Sequence, residues 1–235
     1  MEKIVFVCCL HGNERYGLEV VKKLPAFPYF LANEQAMKEN KRFIDVDMNR
    51  CFPGNKNGNY EERQAINLLD KVKDFDYLID LHSSSNICPL FGIITKPNNE
   101  KIGFAKKLGL KRVVIMTESF ASGRSLIDSA KCGISLEVGP HKRKENIKDV
   151  LELIENFSND ILYEDPEVFE VFDIIKKLHK SKILISNFQE VKKGQVIAEN
   201  SEERQIADFD FIPVLVGEEA YNGVLCLACR KNKNL

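Results

Sequence analysis

The sequence predicts an α/β fold in which a mainly parallel mixed sheet flanked by helices occupies residues 1–160. A small β-rich C-terminal domain is expected to follow over residues 161–235 and to cap the site. Three observations support this. Apolar strand-like runs alternate with helically spaced segments through about residue 140. The first run, Lys3–Cys9, is apolar without interruption, the pattern of a strand buried on both faces. From about Glu164 the helical spacing gives way to short β-like runs separated by turn residues.

After the first strand, Glu14–Leu24 has helical spacing with Leu18, Val21 and Leu24 on one side. Pro28–Ala32 reads as a short strand, and Arg42–Arg50 alternates polar and apolar residues, which predicts a further extended segment. Cys51–Tyr60 is rich in Gly, Asn and Pro and is loop. Glu61–Val72 is a helix through Ala65, Leu68, Leu69 and Val72. Asp76–His82 is a strand ending in Ser83–Ser85, and Leu90–Thr95 is another. Ile102–Leu108 is helical, Val113–Met116 and Ile134–Val138 are strands, and Lys144–Phe157 is an amphipathic helix. The β-like runs beyond it are Phe169–Ile175, Ile183–Phe188, Gln195–Ala198, Phe211–Val216 and Val224–Ala228, with a helical ambiguity at Ile174–His179.

The formal net charge of −1 comes without a basic stripe or block of like charges, which excludes an electrostatic footprint for nucleic acid or an anionic membrane. Ile4–Leu10 is too short for a membrane span, lacks a small-residue cleavage site, and leads directly into His11-Gly12-Asn13-Glu14. A buried first strand in a cytoplasmic protein is the expectation. The seven cysteines are odd in number and scattered in apolar segments, which fits a reduced compartment. Cys226 and Cys229 have no second pair or nearby histidine to complete a metal site and read as buried strand residues.

His11-Gly12-Asn13-Glu14 stands where the first strand ends and the first helix begins. Ligands of α/β sheets gather at the carboxyl ends of strands. A histidine and a glutamate three residues apart in a tight turn can aim at one point, supplying two of the three protein ligands of a catalytic zinc with a fourth position open. His82, at the end of Ile79-Asp80-Leu81-His82, is placed to be the third. Glu137, in Leu136-Glu137-Val138-Gly139-Pro140, is an acid inside an apolar strand end, a costly position unless the group is paired or functional. Beside a metal it would act as general base and then general acid. Arg50 and Arg42 could hold an oxyanion or clamp a carboxylate, or else pair with Asp45 and Asp47. Asp80 shares strand parity with His82 and could support it. His141, after the EVGP turn, reads as a surface residue with the site rim as the alternative, His179 as a solvated residue between lysines, and Ser83–Ser85 as loop beside His82, since no Gly-x-Ser-x-Gly elbow is present.

Four ordered motifs, HGNE, RFIDVDMNRCFPG, IDLHSS and SLEVGP, resemble those of the aspartoacylase and succinylglutamate desuccinylase family, which is similar to the zinc carboxypeptidases in its catalytic domain. The resemblance covers about residues 1–140, with a weaker match near Lys193–Ala198. It implies one Zn2+ per chain held by His11, Glu14 and His82, with Glu137 as general acid/base and Arg50 polarising the scissile carbonyl. It implies that Arg42 and Asn49 contact substrate or support its pocket, that Arg124-Ser125 binds the amino-acid carboxylate, and that Tyr221 reaches the site from the C-terminal region. The chain is shorter than typical members in its loops and C-terminal region, which set substrate choice in this family.

The expected activity is therefore removal of the acyl group from a small anionic N-acyl amino acid, such as N-acetylaspartate or N-succinylglutamate. Two alternatives stand beside it: a zinc carboxypeptidase acting on peptides, and a non-catalytic metal-binding protein of the same fold. The expected partner is the small-molecule substrate, and homo-oligomerisation is left open.

Overall fold

A computed structural model of the chain describes residues 2–117, 123–141, 145–158, 161 and 163–233. Its central sheet has nine strands in the order β11-β12-β7-β5-β4-β6-β3-β1-β2. From the centre outwards on one side these are β6 (Cys132–Val138), β3 (Tyr77–Ser83), β1 (Ile4–Cys8) and β2 (Tyr29–Leu31), all parallel to one another. On the other side β4 (Phe91–Thr95) pairs antiparallel with β6. β5 (Arg112–Met116) and β7 (Glu167–Lys176) continue parallel to β4. β12 (Val224–Lys231) and β11 (Ile212–Val214) close the edge in antiparallel fashion. A second sheet joins β8 (Lys182–Ile183), β9 (Val196–Glu199) and β10 (Arg204–Ile206). The mixed, mostly parallel sheet with flanking helices is the architecture the sequence predicts.

The β-rich C-terminal region is joined to the rest by the main sheet. Residue 160 lies outside the described residues, but beyond it β7 pairs with β5 in parallel over Arg112–Ile115 and Glu167–Glu170. The sheet therefore runs across the boundary expected from composition. The ambiguous stretch Ile174–His179 is strand as far as Lys176, held by β12. Lys144, expected to open the amphipathic helix, lies outside the described residues, and the helix runs Glu145–Ser158.

Alternating side chains divide each strand between two cores. Val5 and Val7 pack with Val114, Phe169 and Leu227 on one face, and Phe6 and Cys8 with Ile79, Ile115 and Ile134 on the other. Cys226 and Cys229 point into different clusters and are both free and buried, so they form no common site. Ile79 and Leu81 belong to the second face, which leaves Asp80 and His82 on the first. No helix among the described residues is long and apolar enough to cross a membrane.

Two expectations are overturned: the run Ile183–Phe188 is strand only at its first residue, since β8 ends at Ile183, and the strand expected before the Cys51–Tyr60 loop is absent. Arg42–Arg50 is not a strand: it is a bent segment ending in a 3-10 turn over Met48–Arg50. The amides of Ile44, Asp45 and Val46 donate to the carboxylate of Glu61, buried on helix Tyr60–Val72, instead of to a neighbouring strand. Asp47 then caps the turn by accepting from the Asn49 amide at 2.9 Å. Helices Glu34–Glu39 and Leu126–Ser129 are present without having been expected. Both are about one turn or little more, too short to display a periodic apolar stripe.

Candidate active site

His11 leaves the carboxyl end of β1, and Glu14 follows it one tight turn later, its amide donating to the His11 carbonyl at 3.0 Å. Gly12 is required here, because a Cβ at this position would lie 2.2 Å from the backbone of Ala36. The turn brings the Nδ1 of His11 to 2.8 Å from Glu14 Oε1. His82, the penultimate residue of β3, brings its own Nδ1 to 3.1 Å from Glu14 Oε2. All three side chains are buried, and their ligand atoms lie within 4.8 Å of one another. His11, Glu14 and His82, separated by up to 71 positions in sequence, thus converge as the motif spacing predicts.

The outer nitrogens are also engaged. His11 Nε2 lies 3.1 Å from Asp47 Oδ1, and His82 Nε2 lies 2.6 Å from Asp80 Oδ2. Each imidazole therefore touches a carboxylate with both nitrogens. An ionised carboxylate only accepts, so these contacts favour a proton, or a cation in its place, on each ring nitrogen. Burial opposes that charge, but Glu14 with Asp47, and Asp80 with Glu14, draw the two histidine pKa values above the ordinary range. Burial likewise favours neutral Glu14, yet the two histidines hold its carboxyl well below the usual range. A divalent cation between the two Nδ1 atoms and Glu14 would replace the inner protons and leave the Nε2–H groups donated to aspartates, the usual outer support of metal-ligating histidine. Two imidazoles and one carboxylate suit a borderline cation such as zinc. The donor set fits a metal ion on these grounds.

Glu137 is the register partner of His82 across β3 and β6, and lines the same cavity of about 250 Å³. Burial pushes its carboxyl up to about 8; His82 opposes the rise, while Glu14 and Glu218 add to it. A carboxyl at that level can both take and return a proton near neutrality.

Arg42, Asn49, Arg50 and Tyr221 line the cavity as well. Arg42 is committed to two carboxylates, Glu14 at 3.3 Å and Asp47 at 3.1 Å, and so braces the cluster. Arg50 donates to the Asn49 carbonyl at 2.8 Å. Asn49 accepts from the Leu126 amide at 3.1 Å, fixing the start of helix Leu126–Ser129 against the site. Ser125 is a lining residue, whereas Arg124 is exposed on the loop before it and is not among the lining residues. The expected Arg-Ser pair is thus divided, with only the serine facing the cavity.

Sequence reasoning missed Glu218. Its carboxylate accepts from the Ser85 amide at 2.7 Å and the Ser85 hydroxyl at 2.6 Å, tying the turn that carries Tyr221 to the loop after His82. Two adjacent acids in Gly217-Glu218-Glu219 gave no signal as to which turns inward. His141 is half-buried, with its Nδ1 2.7 Å from the hydroxyl of Ser83, a cavity-lining residue, which favours the rim position over the surface one.

The succinylglutamate desuccinylase/aspartoacylase catalytic-domain model matches residues 1–161. A Trichodesmium erythraeum protein named "Probable aspartoacylase" is 27% identical over 234 residues, covering 84% of this chain and 77% of that protein. A Danio rerio protein named "N-acyl-aromatic-L-amino acid amidohydrolase (carboxylate-forming) B" is 28% identical over 212 residues, covering 72% and 67% respectively. The crystal structure of murine aminoacylase 3 shares the fold with a TM-score of 0.78 at 18% identity, over 98% of this chain and 95% of that one. With the family match spanning most of the chain, this protein is a hydrolase belonging to the succinylglutamate desuccinylase/aspartoacylase family.

Proposed function

We propose that the protein is a zinc-dependent deacylase that hydrolyses the amide of a small anionic N-acyl amino acid. The observation that carries this reading is the convergence of His11, Glu14 and His82 beside Glu137 in one cavity. Zinc, when bound by the three ligands, supplies Lewis acidity and lowers the pKa of a coordinated water. Glu137 takes the proton of the attacking water and delivers it to the departing amine. Arg50 faces the scissile carbonyl and offsets the negative charge that develops on its oxygen. Arg42 holds Glu14 and Asp47 in place, and Tyr221, brought in by the Glu218–Ser85 tie, contacts the substrate.

The test is amine release by zinc-loaded protein from a panel of N-acyl amino acids and short peptides. Cleavage of N-acyl amino acids supports the proposal. Stepwise loss of residues from the carboxyl end of peptides would replace it with a carboxypeptidase. Zinc binding with no hydrolysis across the panel would leave a metal-binding protein without this activity.

A further inference from the structure

The cavity is chemically divided, and the division bears on which N-acyl amino acid it accepts. Its described ionisable lining residues are tied to the metal-ligand cluster of His11, Glu14 and His82: Arg42 pairs with Glu14, Glu137 is the register partner of His82, and Glu218, on the turn that carries Tyr221, holds the loop after His82. Arg50 ends the 3-10 turn that Asp47 caps, and Asp47 lies 3.1 Å from His11 Nε2, which places Arg50 at this same end.

The cavity then runs away from the metal end across the open face of the sheet. His82 stands opposite Glu137, Ser135 opposite Ile93, and Thr95 opposite Met116, which carries the lining from β3 through β6 and β4 to β5. Three strand spacings amount to about 14 Å. Along this path the walls are Ile93, Met116, Ile127, Leu215 and Leu227, each under 9% exposed and each a lining residue. Ile174, the register partner of Leu227, forms the rim and is 41% exposed. The polar side chains that interrupt this surface are the hydroxyls of Thr95, Ser125 and Ser135.

No described lining residue of this recess carries positive charge. Arg42 already faces two carboxylates, and Arg50 lies at the metal end, on the turn that Asp47 caps beside His11. A carboxylate in the recess would be removed from water with no counter-ion among the described lining residues and would share the cavity with Glu14, Glu137 and Glu218. Such burial is strongly unfavourable. An apolar group entering the same space gains the ordinary free energy of removing hydrocarbon from water.

We infer that the recess receives an apolar group, and that the preferred substrate is an N-acyl amino acid with one carboxylate and a hydrophobic side chain or acyl chain. A dicarboxylic N-acyl amino acid is disfavoured. This rests on the deacylase reading and narrows it: the single carboxylate stays at the arginine end while the apolar substituent lies along β4, β5 and β12. Met116, Leu227 and Ile174 are the residues that set this specificity.

The experiment compares kcat/KM of the zinc-loaded protein for N-acetyl-L-phenylalanine, N-octanoylglycine, N-acetylglycine and N-acetyl-L-aspartate. The phenylalanine or octanoyl substrate should exceed both others by tenfold to a hundredfold, the usual range for filling an apolar pocket. Whichever of the two leads identifies the side chain or the acyl chain as the occupant. Hydrolysis of N-acetyl-L-aspartate at an equal or higher rate would overturn the inference and leave the deacylase reading intact. If nothing is hydrolysed, the deacylase reading fails, and calorimetric binding of 3-phenylpropionate against succinate decides the recess by itself. Tighter binding of 3-phenylpropionate supports an apolar recess, and equal or tighter binding of succinate overturns it. Ile174→Arg, at an exposed position the fold can tolerate, should raise N-acetyl-L-aspartate relative to N-acetyl-L-phenylalanine, or succinate relative to 3-phenylpropionate, at least fivefold. An unchanged ratio would remove the substituent from this rim.

Discussion

Glu137 and His82 face each other as register partners on neighbouring parallel strands, so a half-buried carboxyl and a metal-ligand candidate project from one face of the sheet. The pairing explains how a residue 55 positions beyond His82 can act at the same centre. Glu137→Gln keeps the shape and removes the proton acceptor. It is expected to lower kcat by about 10²- to 10⁴-fold while zinc content is unchanged. Steady-state kinetics with metal analysis of the same sample checks this, and undiminished turnover would refute the assignment of Glu137.

Asp80 holds His82 at 2.6 Å through Oδ2 and is itself fully buried. Asp80→Asn weakens the acceptor that orients the ring. Zinc affinity is expected to fall by about 10- to 100-fold. Competition against a chelator of known affinity measures it, and an affinity equal to wild type would mean that the Asp80 contact does not tune the metal site.

Removal of the metal should reach the fold as well as the activity, since Glu14, His11 and His82 are all buried and crowd their charges together. At metal concentrations about 100 times Kd, binding adds about 2.7 kcal/mol to stability. For a chain of this size that corresponds to roughly 5–10 °C in melting temperature. Chelation should lower the melting temperature by that amount and abolish hydrolysis, with both restored by added zinc. A melting curve indifferent to chelator would argue against a metal bound by these three side chains.

Glu61 organises the segment that delivers Arg42, Asp47, Asn49 and Arg50. It accepts from three consecutive amides and from the Asn33 side chain at 3.0 Å. Glu61→Ala strands those donors and is expected to cost about 3 kcal/mol in urea unfolding. Loss of less than about 1 kcal/mol would mean that water replaces the carboxylate with little penalty.

Asp128 accepts from both the amide and the hydroxyl of Ser125, at 3.1 and 2.6 Å, and so fixes that lining residue. Burial works against its ionised form, but the Ser125 bonds hold its pKa below the ordinary value. A depressed folded-state pKa stabilises the protein above the unfolded-state value, and that contribution is lost as pH falls through the folded-state value. Asp128→Asn is expected to cost about 1 kcal/mol at pH 7. The gap between wild type and variant should narrow below about pH 4, where the unfolded carboxyl protonates. Denaturant titrations at the two pH values check the sign, and a gap that widens in acid would contradict it.

Several features were legible from local pattern. The strands that lead into His11 or carry His82 and Glu137 are legible because short, nearly continuous apolar runs of five to seven residues report strands buried on both faces. The donor types and their places at strand ends were visible for the same reason, and Asp80 shared parity with His82 in plain view. Arg42–Arg50 misled because its alternation is that of a strand, while its amides are taken by Glu61 from a helix. Its burial does not alternate: Met48 is buried, but Val46 on the same nominal side is 38% exposed.

The sequence by itself determined the element types through most of the chain, the order of the four motifs, and the imidazole and carboxylate donors from which a metal site can be assembled. The tertiary structure alone decided that Asp47 backs His11, that Glu218 ties the Tyr221 turn to Ser85, that Arg124 is exposed while Ser125 lines the cavity, and that the described lining beyond Glu137 is apolar apart from three hydroxyls. The reason is physical. Helix and strand periodicity is written within a few residues, whereas convergence depends on strand order and register among residues as far apart as Ser85 and Glu218.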